Sequence, residues 1–345
     1  MPTPIATAIP VTHTAIAGLG VYRPRRVVPN ADIVEAIDSS DEWIRTRSGI
    51  TARHWAEPDE TIVSMSVAAA RDALRAAGIE PEQVDAVVLA TSSQMVLGPS
   101  AGAVVATELG MHDTAAYDIS AGCAGFCYAL ADAANLVRAG QARHVLVIGV
   151  ERLSDLLDTT DRGCAFIFAD GAGAVLVSPA EQEGIGPVAW GSDGSRTSAI
   201  KQDKDFAEYF AEVAAAEASG GTSVRPYIRM NGTEVFRWAV TFLEQACRDA
   251  LAGAGVTAAD LDAFVPHQAN IRITDALVRT LALPDSVAVA RDIIDTGNTS
   301  AASIPMAMEQ LLRSGAAEPG DTALLLGFGA GLAYAGQVVH LPPIA

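Results

Sequence analysis

The sequence predicts an α/β chain folded as two copies of one topology, on two internal alignments and one uncharged apolar run. Residues 73 to 88 (ALRAAGIEPEQVDAVV) match residues 250 to 265 (ALAGAGVTAADLDAFV) without a gap at an offset of 177. Each reads as an Ala-rich helix end, a Gly C-cap, a short acidic turn and a buried strand. Residues 121 to 149 match residues 296 to 327, with Gly122-Cys123 on Gly297-Asn298 and Arg138-Ala139-Gly140 on Arg313-Ser314-Gly315. Each of these reads as a turn opening a helix, a Gly stop and a strand ending in Gly. The third observation is the run from Thr322 to His340, which carries no Lys, Arg, Asp or Glu but has Gly at 327, 329, 331 and 336. A membrane-spanning helix needs about 20 apolar residues. The glycines instead predict two buried strands joined by a tight turn. The halves fall near residues 1–188, with the Cys, and 189–345, with the His and Asn.

The repeat predicts geometry. Cys123 and Asn298 occupy equivalent helix N-termini, and His267 sits past a strand end where Ala90 sits in the first half. Packing about a pseudo-twofold axis brings these loops to one crevice, where α/β folds bind ligands.

Composition narrows the function classes. A net charge of −18, with 23 Lys and Arg against 41 Asp and Glu, argues against nonspecific nucleic-acid binding. It also means that an acidic partner must dock on a local arginine patch. Four cysteines without a CxxC pair read as free thiols in a cytoplasmic protein, and the N-terminus, broken by Pro4 and Pro10, has no positive region of an export signal. Six dispersed histidines give no zinc spacing, so no metal is expected.

Cys123 lies in DISAGCAGF, where a helix N-terminus is expected to lower a thiol's pKa and favour the thiolate. Cys127, one turn on, reads as core. His267 follows a buried strand and Pro266, with Gln268 and Asn270 beside it; Asn298 lies in TGNTSAAS and could equally be an N-cap. Asp170 to Ala174 and Gly327 to Gly331 lack the spacing of a dinucleotide fingerprint and read as strand-to-strand turns. The second also brings bare amides to a strand end, as an oxyanion hole requires.

Six motifs in order, DSSDEWIRTRSGI (38–50), DISAGCAGF (118–126), DRGCAFIFADGAGAV (161–175), PHQANIRI (266–273), GNTSAASIP (297–305) and GFGAG (327–331), resemble the β-ketoacyl-acyl-carrier-protein synthase III family. The resemblance covers nearly the whole chain. It implies a thiolase-like fold, two pseudo-symmetric halves stacked as five layers (αβαβα), and a homodimer. It implies decarboxylative condensation of an acyl-CoA starter with malonyl-acyl-carrier protein, priming fatty-acid or type II polyketide synthesis with no cofactor beyond these substrates. Cys123 would be the nucleophile, His267 and Asn298 the donors to the thioester oxygen, and the amides of Cys123 and Ala330 the oxyanion hole. Trp43, with Arg47 and Arg162, would hold the adenine of coenzyme A, Asn270 the pantetheine, and Arg272 the carrier protein. Arg45 and Arg53 read as solvated surface. Where the chain departs from the family's pattern, Ala330 replaces a glycine and Thr233 an asparagine. Gly98 stands where a bulkier residue is common, so with Leu97 it is assigned to an acyl pocket, or else serves a positive-φ turn. Residues 195–226 read as a surface insertion near that pocket. The competing readings are acyl transfer to a hydroxyl or amine, and a noncatalytic partner subunit, which the intact Cys123 disfavours.

Overall fold

The computed structural model describes residues 13–345. The expected absence of an export signal rests on residues 1–12 and lies outside the described residues. Among the described residues, fourteen strands form four sheets. The first seven are β1 (Thr14–Tyr22), β2 (Arg26–Pro29), β3 (Ala52–Trp55), β4 (Ala86–Ala90), β5 (Ala115–Ile119), β6 (Val145–Arg152) and β7 (Asp170–Pro179). The next seven are β8 (Ala189–Gly191), β9 (Ile200–Gln202), β10 (Ile228–Met230), β11 (Ala263–Pro266), β12 (Ala288–Val289), β13 (Thr322–Phe328) and β14 (Tyr334–His340). One large sheet runs β1-β7-β6-β4-β5 and the other β8-β14-β13-β11-β12, so adding seven to each strand converts one order into the other. The same shift converts the small pair β2-β3 into β9-β10. Strand directions agree too: in each large sheet the successive pairings are antiparallel, antiparallel, parallel and parallel.

The helices are α1 (Asp41–Ser48), α2 (Ile62–Ala77), α3 (Ala101–Glu108), α4 (Gly125–Arg138), α5 (Phe206–Ser219), α6 (Gly232–Ala254), α7 (Ile271–Thr280), α8 (Ile293–Thr296) and α9 (Ser303–Ser314). Glycines at φ 64° and 71° stop α2 and α6, as the first alignment predicts. Alternation along buried strands sorts the helices into layers. In β4, Val87 and Leu89 face α2 and α3, while Val88 and Ala90 face α4. In β13, Leu324, Leu326 and Phe328 face α6 and α7, while Ala323 and Leu325 face the same central layer. Helices α4 and α9 therefore lie between two sheets with a helix pair outside each, the five layers of a thiolase-like fold.

Four sequence expectations need correction. Asp170–Ala174 is not a turn but the start of β7, fully buried. Its glycines serve close packing: a Cβ at Gly173 would lie 2.5 Å from Pro305 Cγ, and one at Gly171 2.8 Å from Met306 Sδ, both on α9. The second repeat also slips in register. Gly125 and Ser303 open α4 and α9 after the three-residue 3-10 turns Gly122–Ala124 and Ser300–Ala302. The topological counterpart of Cys123 is thus Ala301, and Asn298 precedes the turn; α9 has 12 residues against 14 in α4, and Gly315 follows it directly whereas Ala139 intervenes before Gly140, which together return the two glycines to register. Arg53 is not solvated surface: it is fully buried, its guanidinium donating to Val28 O, Asn30 Oδ1 and Phe166 O. Gly98 has no positive φ, which removes the turn reading. The reading of 195–226 as a surface insertion holds only around α5, which has no buried residue; Ala199 is buried, Ile200 lines the candidate cavity and β9 belongs to the repeated strand pair. Among the described residues no helix is long and apolar enough to cross a membrane.

Candidate active site

Cys123 occupies the middle of the 3-10 turn that runs into α4 and is 7% exposed. The β13–β14 turn lies directly against it. A Cβ on Gly329 would stand 2.8 Å from Cys123 Cβ and 3.0 Å from its sulfur, and one on Gly122 (φ 55°) would stand 3.1 Å from Ala330 N. No backbone carbonyl among the described residues accepts from the amides of Cys123 or Ala330; the Cys123 amide instead faces its own sulfur. The expectation of a lowered thiol pKa is not met. Burial pushes Cys123 up to about 12, against the opposing hydrogen bonds from Ser300 and its own amide, and nearby Glu151 adds to the rise.

His267 follows β11 and is 2% exposed. Its main chain is fixed by donation to Leu326 O at 2.7 Å, and its ring meets Phe328 edge to face at 5.1 Å. Ring Nδ1 lies 2.6 Å from Ser303 Oγ. Burial pulls its pKa down to about 3, so the imidazole is neutral across physiological pH.

Asn298 is held on both sides as a short parallel bridge to Phe168: it donates to Ile167 O at 2.9 Å and accepts from Ala169 N–H at 2.8 Å. Gly297 before it has φ 71°, and a Cβ there would strike Arg53 at 2.7 Å. The Asn298 side chain closes a turn rather than capping a helix, with Oδ1 accepting from Ser300 N–H at 2.9 Å. That bond fixes the amide's orientation and leaves Nδ2 to donate.

Cys123, His267 and Asn298 line one largely apolar cavity, with Ile200, Met230 and Phe328 among its walls. Ile167, Met230, Phe236 and Asn270 continue it into an outer mouth lined by Trp43, Arg47, Arg162, Thr233 and Arg272. Arg47 and Arg162 lie 5.4 and 4.7 Å from the Trp43 ring centroid, and Arg272 lies 5.0 Å from that of Phe236. Asn270 lines both spaces but caps α7: Oδ1 accepts from Arg272 N–H and Nδ2 donates to Arg47 O, each at 2.9 Å. Gly98 and Leu97 do not line this cavity. Their loop is exposed, Leu97 at 91%. Sequence reasoning missed Glu151, Ser300, Ser303 and Gly329's steric role; the last three lay inside recognised motifs, whereas Glu151 carried no local signal. Among the described residues no group of His, Cys, Asp and Glu is arranged to hold a metal.

Comparison with known proteins agrees with this architecture. Residues 117–194 match the family model of 3-oxoacyl-[acyl-carrier-protein] synthase III, and residues 251–341 match the model of its C-terminal part. A β-ketoacyl-[acyl-carrier-protein] synthase III of Streptomyces glaucescens is 53% identical, covering 96% of this chain and 97% of the relative. Its namesake in Mycobacteroides abscessus is 49% identical over 99% of both chains. Among solved structures, the priming β-ketosynthase of the R1128 polyketide biosynthetic pathway superposes with a TM-score of 0.93 at 46% identity over the full length of both chains. The chain therefore belongs to the 3-oxoacyl-[acyl-carrier-protein] synthase III family.

Proposed function

We propose that this enzyme condenses an acyl-CoA starter with malonyl-acyl-carrier protein, Cys123 forming the acyl-enzyme and His267 and Asn298 driving decarboxylation. One observation carries the reading: the thiol and two neutral, orientationally fixed donors line the same largely apolar cavity. Cys123 Sγ attacks the thioester carbonyl, and the amides of Cys123 and Ala330 receive the oxyanion. Coenzyme A leaves, and the malonyl thioester enters. The Ser303 hydroxyl donates to His267 Nδ1 while accepting from Gln268 N–H, which leaves the ring proton on Nε2. Nε2–H and Asn298 Nδ2–H then hold the enolate oxygen left by loss of CO₂, and the enolate carbon attacks the acyl-cysteine. Neutral donors suit this step, because an imidazolium would bind the malonyl carboxylate and favour its retention. Each such donor is typically worth about 3–4 kcal/mol.

The outer mouth supports the substrate route: Trp43 between two guanidiniums offers an adenine platform, and exposed Arg272 an acidic carrier's contact. The homodimer is supported by Met95, Val96 and Leu97, exposed at 52%, 55% and 91% on one loop, which a second copy would cover. In that arrangement Gly98 would deepen the partner's acyl pocket. A cytoplasmic location suits a chain whose four cysteines are free; recovery in the exported or membrane fraction after cell fractionation would contradict it.

Intact-protein mass after exposure to a panel of acyl-CoAs tests the nucleophile and identifies the starter. Wild type gains one acyl group and Cys123→Ala gains none. Arg272→Glu loads normally but shows a raised KM for the malonyl-carrier protein, an effect that weakens with salt. Acylation of Cys123→Ala on another residue would overturn the assignment, and equal damage to both substrates in Arg272→Glu would remove the docking role.

A further inference from the structure

Glu151, in β6, has no accessible surface and no cation beside it; its neighbour Arg152 pairs with Asp155 at 3.0 Å. A buried carboxylate without a counter-ion is costly, and the chain surrounds this one with hydrogen-bond donors. Ser93 Oγ donates at 2.5 Å, having used its lone pair to accept from Arg152 N–H at 2.8 Å. Ser92 N–H reaches both carboxylate oxygens at 3.2 and 3.1 Å, and Thr91 Oγ1 lies at 3.4 Å. The remaining donor comes from the active site: Ser300 Oγ, 3.0 Å from Oε1.

Ser300 sits at φ 49°, a left-handed backbone that serine seldom adopts, and the conformation aims its groups at three partners. Its amide donates to Asn298 Oδ1, its hydroxyl donates to Glu151, and both Ser300 and Glu151 lie near enough to Cys123 to act on the charge of its thiol. Strand β6 approaches this turn so closely that a Cβ on Gly149 would lie 2.3 Å from Ala301 O. Around Glu151, the end of β4 contributes Thr91, Ser92 and Ser93, the 300–302 turn contributes Ser300, β7 contributes Gly171, and the 122–124 turn contributes the titratable Cys123.

We propose that Glu151, acting through the Ser300 hydroxyl, takes up the Cys123 proton as the sulfur attacks the thioester and returns it when the thiolate is released. The inference rests on Cys123 being the nucleophile. In the forward step the S–H bond breaks, its proton moves to Ser300 Oγ, and the proton formerly on Oγ moves to Glu151 Oε1. The S–C bond forms, and coenzyme A departs with the electron pair of its C–S bond. After condensation the same two transfers run in reverse and restore thiol and carboxylate. Between these events Glu151 is a neutral acid, so the enolate develops beside no fixed negative charge. Burial raises Glu151 to about 7, which puts the change of charge state within reach near neutrality.

Single-turnover acyl loading, followed by intact mass across about pH 5 to 9, tests the relay. Wild-type loading should rise through an ionisation near 7. Glu151→Gln should load roughly a hundredfold more slowly and lose that limb. Ser300→Ala should lose it too, while Glu151→Asp retains a limb at reduced rate. A folded Glu151→Gln protein, checked by circular dichroism and melting, that keeps the wild-type rate and limb would overturn the proposal. If Glu151→Gln does not fold, the Ser300→Ala profile decides, and a retained limb there overturns it. Failure of the Cys123 reading is separately visible, as acyl mass on Cys123→Ala.

Discussion

Between Gly329 and Cys123 there is no room for a methyl group, because a Cβ would stand 3.0 Å from the sulfur and 2.8 Å from Cys123 N. The backbone of Gly329 is extended (φ 178°), so the demand for glycine is steric and not conformational. Gly329→Ala is therefore expected to displace the Cys123 turn and cut acyl loading about tenfold or more, while Ala330→Gly loads like wild type. Loading by Gly329→Ala at the wild-type rate would mean that the turn yields freely. At this scale the sequence was informative wherever chemistry and local motif coincide. Cys123, His267 and Asn298 each stand at an element end within a short polar or glycine-rich segment. Glu151 was invisible because its significance lies in a hydrogen bond to Ser300, 149 residues away along the chain. The thiol's pKa was misread for a related reason: helix position can be read from sequence, but the burial that dominates it cannot.

Secondary elements were legible where periodicity and caps agree. The αL glycines at 78 and 255, and the uncharged β13–β14 hairpin, stand where the sequence puts them. The segment 170–174 was misread because glycine signals both turns and close packing. Here Gly171 and Gly173 lie inside a buried strand and let α9 approach, and α9 carries Ser303 beneath His267. The register slip between Cys123 and Asn298 has a similar origin. A gapless alignment anchored on Gly140 and Gly315 cannot see that α9 is two residues shorter than α4.

At the level of the whole molecule, the repeat carries the fold: strand order and direction recur after seven strands, and α4 and α9 share the central layer. That symmetry brings the Cys123 turn and the Asn298 loop to one crevice, although the chemistry on each side is unrelated. What lies beyond one chain was less legible. The exposed 95–97 apolar loop predicts that wild type sediments as a dimer and that Leu97→Asp shifts it toward monomer without altering its melting profile; a monomeric wild type would remove the partner-loop account of Gly98. The central claim, that acylation and decarboxylation are assigned to different residues of one cavity, is tested most directly by separating the half-reactions in a rapid quench. Wild type should place acyl mass on the Cys123 peptide before CO₂ and condensed carrier protein appear. His267→Ala and Asn298→Ala should still acylate Cys123 but release CO₂ from malonyl-carrier protein roughly a hundredfold more slowly. Variants that lose acylation and retain decarboxylation would contradict the account.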